Sequence, residues 1–341
     1  MKFYPLTIGG IVDETPLARS FRLSPEAEHA PLFGYRAGQF LTFRIPSAGG
    51  PVERCYSLSS APACDDEMQV TVKRVRGGPG SNWFNDVPRP GDVIQAAPPS
   101  GRFVMRRPDR PMVLFAGGSG ITPVISLIKQ ALHETALSPR LFYANTEYDQ
   151  IIFRRELDEL GARFPGRLDC RHHLDAEAGL ADAGRIARFA GESTDCHFFV
   201  CGPAPFMDLT VDVLAELGAD DRDVFIERFT MPDDDAEAED PADRVAGAGG
   251  VASFRATIDG EDHEVPYSAG ETLLDCMLAQ GLDPVHSCKD AHCGSCMVIR
   301  KSGEVAMHKS TILSKRDKER GYILLCQAVP QSADVWVDCD A

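Results

Sequence analysis

A loop near the C-terminal end of this chain, HSCKDAHCGSCMVIR (286–300), carries three cysteines within nine residues. Cys288, Cys293 and Cys296 follow the pattern C-x4-C-x2-C, and 29 residues separate Cys296 from Cys326. Four thiolates at this spacing can hold the two irons of a 2Fe-2S cluster. The cysteines therefore predict a loop that wraps closely round a metal centre.

The residues between the cysteines fit this interpretation. Gly294 and the small Ser295 suit a loop whose backbone N–H groups point at sulfur. The alternative is a structural zinc site, which also takes four cysteines but usually as paired C-x2-C knuckles, and this chain has one such pair in the loop. Five cysteines without this spacing are predicted to be ordinary small residues, some of them buried: Cys55, Cys64, Cys170, Cys276 and Cys339.

Length and composition limit the other possibilities. At 341 residues the chain is too long for one ordinary core, and three domains are expected. The formal charge of -16 disfavours nucleic acid as a partner, because phosphate binding needs a basic surface. No secretion signal is evident, and no apolar run approaches the roughly 18 residues of a membrane span. The 11 cysteines are an odd number, which favours metal-binding thiols in a reducing compartment over a set of disulfides. These features predict a cytoplasmic protein that binds neither nucleic acid nor membrane.

Changes in sequence texture divide the chain. Residues 1–107 are short β-type runs between glycine and proline turns and predict an antiparallel β-barrel. Residues 108–229 alternate apolar strands with helical segments, which predicts an α/β domain with a parallel sheet. Residues 230–250, acidic and then glycine-rich, predict a flexible linker. Residues 251–341 open on a hairpin around Asp259-Gly260 and predict an α+β domain that carries the cysteine loop.

Two further motifs lie in the first two predicted domains. RCYS (54–57) and GPGSNWF (78–84) offer a guanidinium and consecutive amides, which are suited to binding a phosphate. R-x-Y-S alone could equally be a strand with an exposed arginine and a packed tyrosine. GGSGITP (117–123) follows the strand MVLFA and opens a helix, where a glycine turn can hold a phosphate. Without a ligand it would be a tight turn between a strand and a helix.

Together with the cysteine loop, these motifs resemble the reductase components of bacterial multicomponent oxygenases, in the ferredoxin-NADP reductase superfamily with a C-terminal plant-type ferredoxin domain. The resemblance covers essentially the whole chain and lies in GQFLTFRIPSAGGPVERCYSLSSAP, SNWFND, GSGITPVISLIK, CGPAPFM and SCKDAHCGSCMV. It is strongest to the reductases of 3-ketosteroid 9α-hydroxylases and next to those of phenylacetyl-CoA oxygenases. The resemblance implies a flavin domain, a nicotinamide domain and a ferredoxin domain, in that order.

The resemblance also implies roles for single residues of the flavin domain. Arg54 pairs with the flavin phosphate, Tyr56 packs on the isoalloxazine, and Ser57 lies near its reactive N5. Gly80 and Ser81 offer backbone and hydroxyl donors to the phosphates.

In the nicotinamide domain, the resemblance implies that the dinucleotide binds over the glycine turn and the CGP segment. Cys201 would lie near the nicotinamide C4, and Phe229 would cover the flavin face, although a buried thiol and a core phenylalanine are equally compatible with the sequence. Tyr56, Ser57 and Cys201 are thus the predicted catalytic residues. The remaining predicted dinucleotide contacts are Gly118, Gly120, Thr122, Gly202 and Pro203.

The identity of the two dissociable cofactors follows from smaller features. The tight turn GPGSNWF and the resemblance favour FAD as the flavin. FMN is the alternative, because one branch of the family with this domain order uses it. In YANTEYDQIIF (143–153), relatives commonly have arginine where Thr146 stands, and a 2'-phosphate would need such a cation. Glu147 and Asp149 instead suit ribose hydroxyls, unless they are only solvated loop charges. The sequence therefore predicts NADH over NADPH.

The set of carriers predicts the activity. A nicotinamide delivers two electrons as a hydride and a metal oxygenase accepts single electrons, so a flavin and a cluster in one chain predict an NADH-dependent reductase of a terminal oxygenase. By resemblance that oxygenase is a Rieske-type steroid hydroxylase, and a di-iron oxygenase such as a phenylacetyl-CoA epoxidase is the alternative. A self-contained reductase of small acceptors and a redox sensor without turnover are alternatives of other classes, and no basic face supports the sensor. A monomer is the expectation of the resemblance.

Overall fold

The computed structural model describes residues 2–47, 50–191, 195–229, 251–289, 291, 293–310, 312–313 and 315–340. The chain forms two compact units, Met1–Arg228 and Phe229–Ala341. The predicted barrel and α/β domain share the first unit, and the predicted linker 230–250 lies outside the described residues. None of the helices in the described ranges has the length and apolar character that crossing a bilayer requires.

The first unit begins with six antiparallel strands: β1 (Tyr4–Thr15), β2 (Ala18–Pro25), β3 (Phe40–Ile45), β4 (Val52–Ser57), β5 (Met68–Lys73) and β6 (Val93–Ala96). Their order in the sheet is β4-β3-β6-β1-β2-β5. An antiparallel bridge between Leu58 and Val70 joins the residue after β4 to β5, so the two edges of the sheet meet. This closure confirms the predicted antiparallel β-barrel.

A helix, α1 (Pro79–Asp86), packs on the barrel where the sequence predicted a tight turn. Pro79 occupies its first turn, where the fixed φ of proline favours helix initiation and its missing N–H costs nothing. Phe84 on α1 is fully buried and meets Phe21 and Phe43 edge-on, with ring centroids 5.0 and 5.3 Å apart. This aromatic contact fixes α1 against the barrel strands.

The rest of the first unit is a five-stranded parallel sheet with its connecting helices. The strands are β7 (Met112–Gly117), β8 (Arg140–Asn145), β9 (Asp169–Leu174), β10 (His197–Cys201) and β11 (Val224–Glu227). The helices are α2 (Ile121–Glu134), α3 (Arg154–Arg163), α4 (Asp175–Ala178), α5 (Ala183–Ala190) and α6 (Ala204–Glu216). All residues of β7 and β10 are buried, as continuous apolar runs in a covered parallel sheet should be.

The strand order β11-β10-β7-β8-β9 reverses direction between β7 and β10. In open parallel sheets, ligands bind beyond the carboxyl ends of the strands at such a reversal. The fold therefore confirms the predicted α/β domain and places the ends of β7 and β10 where a ligand site is expected.

The second unit is an α+β domain, as predicted. Its strands are β12 (Ser253–Ile258), β13 (Glu261–Pro266), β14 (Met297–Ser302), β15 (Val305–Met307), β16 (Tyr322–Leu324), β17 (Ala328–Pro330) and β18 (Trp336–Asp338), and its helices are α7 (Leu273–Ala279) and α8 (Lys315–Glu319). The main sheet has the order β13-β12-β18-β14-β16, and β15 pairs with β17. β12 and β18 are parallel, whereas the other neighbours in this sheet are antiparallel.

The predicted hairpin joins β12 and β13. Asp259 and Gly260 have φ values of 54° and 78°, the left-handed pair that a two-residue hairpin turn requires. The Asp340 carboxylate accepts hydrogen bonds from both turn amides, at 3.0 and 2.8 Å. The end of the chain is thereby bonded to its first hairpin in this unit.

We expect Phe84→Ala to lower the free energy of unfolding of the first unit by about 3–5 kcal/mol, because a buried aromatic side chain is lost and its cavity cannot fully collapse. Urea titration followed by far-UV circular dichroism and tryptophan fluorescence measures the change. Val87→Ala, at a position that is 52% exposed just after α1, is the control and should change the value by less than about 0.5 kcal/mol. Equal effects of the two substitutions would contradict the packing role of Phe84.

Candidate functional site

Three of the predicted flavin-binding residues lie side by side in the first unit. β4 carries Arg54 and Tyr56, and α1 brings Gly80 against them. A Cβ atom on Gly80 would lie 2.9 Å from Tyr56 Oη and 3.0 Å from Arg54 Cγ, so only glycine leaves this space open. The amides of Gly80 and Ser81 belong to the first turn of α1, where N–H groups have no acceptor within the helix. A guanidinium beside such amides fits the phosphate groups of a flavin dinucleotide.

The Tyr56 side chain forms the apolar wall of this space. Its ring packs edge-on against Phe84, with centroids 5.1 Å apart. Burial raises the pKa of the Tyr56 phenol, and the neighbouring Arg54 opposes the rise only in part. The phenol therefore keeps its proton and can act as a hydrogen-bond donor throughout the physiological pH range.

The Ser81 hydroxyl is used within its own loop, and Phe229 lies outside the first unit. The Ser81 hydroxyl closes the loop before α1, since it accepts from the Val75 amide at 3.1 Å and donates to the Gly78 carbonyl at 3.3 Å. Phe229 is half-buried and belongs to the second unit. The contacts of Ser81 and Phe229 with a flavin stay predictions.

Ser57 and Cys201, two of the predicted catalytic residues, are joined through a carboxylate that the sequence analysis missed. Ser57 Oγ donates to Glu227 Oε1 at 3.0 Å. Glu227 ends β11, directly opposite Cys201 at the end of β10 in the parallel register. Burial, followed by the nearby Glu227 charge, raises the pKa of the Cys201 thiol well above its ordinary value, so the thiol stays neutral. The signal available in the sequence was an acidic residue at the end of the last apolar strand, in IERF.

The predicted phosphate turn lies at the strand reversal and touches the end of β10. Gly118 has a φ of 51°, a left-handed conformation that favours glycine. A Cβ atom on Gly120 would lie 2.2 Å from the Cys201 carbonyl oxygen, and one on Gly117 would lie 2.8 Å from Pro203 Cδ. The GGSGITP and CGP motifs therefore pack backbone against backbone and form one site.

The remaining residues of the two motifs complete this turn. The Thr122 hydroxyl donates to the Ser119 carbonyl at 3.1 Å, and a Cβ atom on Gly202 would lie 2.9 Å from the Gly117 amide nitrogen. α2 begins at Ile121 and is 14 residues long, so its N-terminal amides and the positive end of its dipole lie at the turn. This arrangement fits the pyrophosphate of a nicotinamide dinucleotide.

Lys73 brings a cation to the same turn, and the sequence analysis missed it. Its Nζ lies 3.7 Å from the position that a Cβ atom on Gly118 would take. Burial lowers the pKa of Lys73, and within the part of the chain that the structure describes no hydrogen bond or ion pair holds its ammonium group. An ammonium without a partner beside a phosphate turn is suited to bind a phosphate. Lys73 is the last residue of β5, in the barrel, so its sequence position gave no sign of this contact.

The predicted ribose segment follows β8 on the surface. Thr146, Glu147 and Asp149 are exposed, as is the Tyr148 ring. Arg154 Nη1 donates to Tyr148 Oη at 2.9 Å and its guanidinium lies 4.7 Å from the ring centroid. The structure therefore adds a cation to a segment that the sequence analysis described by its carboxylates alone.

In the second unit, the four predicted cluster ligands contact one another through their thiols or backbone. Cys296 and Cys326 are buried, and their thiols are in hydrogen-bonding contact. Cys288 and Cys293 are half-buried, and the Cys288 amide donates to Cys293 Sγ at 3.5 Å.

The distances between these sulfurs distinguish a zinc site from a 2Fe-2S cluster, the two alternatives that the sequence left open. A tetrahedral zinc ion would place all four sulfurs within about 4 Å of one another. Among the described residues, no three of these sulfurs lie within 4.8 Å of one another. Sulfurs that are spread more widely than this fit the two irons of a 2Fe-2S core better than one zinc ion. Of the five cysteines predicted to be ordinary residues, Cys276 and Cys339 are buried.

The cluster loop directs N–H groups at its own sulfurs. The backbone of Ala291 and the Gln327 carboxamide both donate to Cys326, the latter at 3.5 Å. Lys289 and Ala291 have φ values of 57° and 56°, and Gly294 has 66°, so the loop turns repeatedly through the left-handed region. Such N–H donors stabilise thiolate charge, which is what ligands of a cluster carry.

Comparison with known proteins agrees with this geometry. Three family models match in order: an oxidoreductase FAD-binding domain over residues 14–105, an oxidoreductase NAD-binding domain over 114–212, and a 2Fe-2S iron-sulfur cluster binding domain over 256–331. The chain is 40% identical to the ferredoxin reductase component of 3-ketosteroid-9-alpha-monooxygenase from Mycolicibacterium smegmatis, over 98% of this chain and 96% of that protein. It is 30% identical to one of the subunits of the 1,2-phenylacetyl-CoA epoxidase of Escherichia coli, over 99% and 98% of the two chains. The crystal structure of phthalate dioxygenase reductase superposes with a TM-score of 0.62, at 25% identity and over 98% of each chain.

We expect binding of NAD⁺ to weaken with rising pH because of Lys73. A phosphate partner favours the charged ammonium, so affinity is full below the lowered pKa of the free enzyme and falls as pH rises through it. Titration of NAD⁺ into the oxidised protein from about pH 7 to about pH 10, followed by the flavin absorbance, measures this change.

Two variants separate the charge from other effects of pH. Lys73→Met should weaken binding about tenfold at neutral pH, which is about 1.4 kcal/mol. Lys73→Arg keeps its charge over the whole range and should bind with little dependence on pH. A wild-type pH profile that Lys73→Arg leaves unchanged would show that Lys73 does not bind the dinucleotide.

Proposed function

Because this chain belongs to the ferredoxin-reductase components of oxygenase systems, with FAD-, NAD- and 2Fe-2S-binding domains in one polypeptide, we propose that it carries electrons from NADH to a terminal oxygenase that hydroxylates a steroid. The observation that carries the proposal is the 40% identity to a 3-ketosteroid-9-alpha-monooxygenase reductase component over almost the full length of both chains. The phenylacetyl-CoA epoxidase subunit is a full-length relative at 30% identity, so an oxygenase of that system is the second candidate. A monomeric state, a cytoplasmic location and the absence of nucleic-acid and membrane partners belong to the same proposal.

The flavin site would hold the isoalloxazine and its phosphates on the barrel. Arg54 and the first-turn amides of α1, from Gly80 and Ser81, would bind the phosphates, and Tyr56 would pack on the ring. Phe229 would cover the other face. When bound, the flavin can take two electrons as a hydride from a nicotinamide and release them one at a time to a cluster. The protein contributes position and protons to this exchange.

Ser57, Glu227 and Cys201 would line the place where the nicotinamide meets the flavin. Ser57 donates its hydroxyl proton to Glu227, and that bond fixes the orientation of the hydroxyl at the end of β4. Glu227 is the neighbouring group that can hold or release a proton near the flavin N5. The neutral Cys201 thiol would present a small uncharged surface to the nicotinamide ring.

The dinucleotide would lie over the reversal of the parallel sheet. Gly118, Gly120 and Thr122 form the phosphate turn, and Gly202 and Pro203 form its second wall. Lys73 would neutralise the pyrophosphate from the barrel side. Glu147 would bind the ribose hydroxyls and disfavour a 2'-phosphate, whereas Arg154, which contacts Tyr148 in the same segment, would act in the opposite sense.

Cys288, Cys293, Cys296 and Cys326 would hold the cluster. The contacts among these cysteines and the N–H groups directed at their sulfurs are the features of the second unit that support this role. When bound, the cluster would accept single electrons and make them available to a partner protein.

We expect anaerobic titration with NADH to bleach flavin and cluster together, with about three electrons taken up per chain. Cys293→Ser should remove the cluster signal and reduce the uptake to about two electrons, since the flavin site is in the other unit. Cys64→Ser, at an exposed cysteine of the barrel, is the matched control and should behave as wild type. NADPH at the same concentration should bleach the flavin more slowly than NADH. A cluster that survives Cys293→Ser would show that these cysteines hold something else.

We expect NADH consumption to follow hydroxylation one for one when the purified protein is combined with its oxygenase and a 3-ketosteroid. Product and NADH are measured in the same reaction, with phenylacetyl-CoA as the competing test substrate and its own oxygenase. Reduction of ferricyanide or cytochrome c does not distinguish the candidates, because any reduced flavin or exposed cluster can supply it. Consumption of NADH with small acceptors alone, and none coupled to either oxygenase, would indicate a self-contained reductase.

A further inference from the structure

Ser295 has a buried hydroxyl group that can donate a hydrogen bond, and it is not one of the four predicted ligands. It stands between Cys293 and Cys296 and is 5% exposed. Its hydroxyl oxygen is buried and makes no hydrogen bond among the residues that the structure describes. A buried hydroxyl without a partner is unfavourable, so an acceptor belongs at this position. The acceptors that a cluster brings into this loop are sulfur atoms.

Gln327 is a second donor in the same loop and already contacts a ligand. It directly follows Cys326 and is 6% exposed. Its Nε2 lies 3.5 Å from Cys326 Sγ and 3.3 Å from the Lys289 carbonyl oxygen. The carboxamide thus connects the last ligand with the backbone beside Cys288, and it keeps one N–H group at a ligand sulfur.

We propose that the Ser295 hydroxyl and the Gln327 carboxamide donate hydrogen bonds to sulfur atoms of the cluster and raise its reduction potential. The inference rests on the proposed assignment of the four cysteines as ligands. A hydrogen bond to sulfur stabilises the reduced form more than the oxidised form, because the electron received from the flavin adds one negative charge. Both residues therefore favour transfer from flavin to cluster and oppose transfer from cluster to oxygenase, so they set the balance between the two steps.

The test is the midpoint potential of the cluster in the full-length protein. Ser295→Ala removes the hydroxyl, and Gln327→Met removes the N–H group at nearly constant length. Each variant and the wild-type protein are equilibrated at a series of potentials with redox mediators. The amount of reduced cluster at each potential is measured by electron paramagnetic resonance. At the wild-type midpoint we expect the ratio of reduced to oxidised cluster to fall at least about threefold in each variant, or about 30 mV at about 59 mV per tenfold change.

Matched variants separate donation from packing. Ser295→Thr retains the hydroxyl and should keep the wild-type potential, although it changes the volume of the side chain. Ser302→Ala and Gln280→Met make the same chemical changes at exposed positions of this unit and should leave the potential unchanged. Iron and sulfide content, measured on every sample, shows that only loaded protein is compared. The Fe–S stretching bands in resonance Raman spectra should shift in Ser295→Ala and Gln327→Met and return in Ser295→Thr.

The outcomes are distinct. Fully loaded Ser295→Ala and Gln327→Met with wild-type potentials would overturn the inference, as would an equal shift in Ser295→Ala and Ser295→Thr. If Gln327→Met does not load, Gln327→Glu keeps the shape and brings a negative charge to the sulfur, and its potential must then lie below that of wild type. Wild-type protein without a cluster signal would instead refute the assignment of the ligands, and with it the proposed function.

Discussion

The functional geometry of the first unit depends on one contact between two backbones. The turn after β7 approaches the end of β10 so closely that a methyl group on Gly120 would lie 2.2 Å from the Cys201 carbonyl oxygen. This approach is possible because the two strands are neighbours at the reversal of the sheet, and because glycine leaves the space between them empty. The contact brings the predicted phosphate turn and Cys201 together at one place. Through Glu227, on the strand next to β10, it also joins that thiol to Ser57 on the barrel.

The sequence was informative where function demands a local pattern. Cysteine spacing predicted a 2Fe-2S loop, and a glycine turn after an apolar strand predicted the phosphate site, since each needs fixed residue types within a few positions. The barrel and the parallel sheet followed from strand and helix periodicity for the same reason. Lys73 and Glu227 could not be found in this way. Each is one charged residue at the end of a strand, and only the closure of the barrel and the order of the sheet show which predicted site residues it lies beside. The prediction of a tight turn at GPGSNWF was wrong for a different reason. The segment begins helix α1, and glycine and proline are as typical of a helix start as of a turn.

The backbone of the cluster loop is strained at two residues. Lys289 and Ala291 adopt left-handed conformations that residues with a Cβ atom disfavour. The hydrogen bonds that end on sulfur and on the Lys289 carbonyl offset that strain, so the donors have a structural as well as an electrostatic role. Substitutions in this loop therefore have to be judged on loaded protein, where the two roles can be measured apart.

The second unit begins and ends on adjacent strands. β12 is the first strand of its sheet along the chain, and β18, its parallel neighbour, is the last. Tension applied between the two ends of the unit therefore pulls these strands past each other along their length. Their three paired positions and the Asp340 bonds to the first hairpin are loaded together in shear, rather than opened one by one as in an unzipping hairpin. Pulling on the two ends of this unit would therefore have to break these bonds together, which makes it more resistant to extension along the chain than a hairpin.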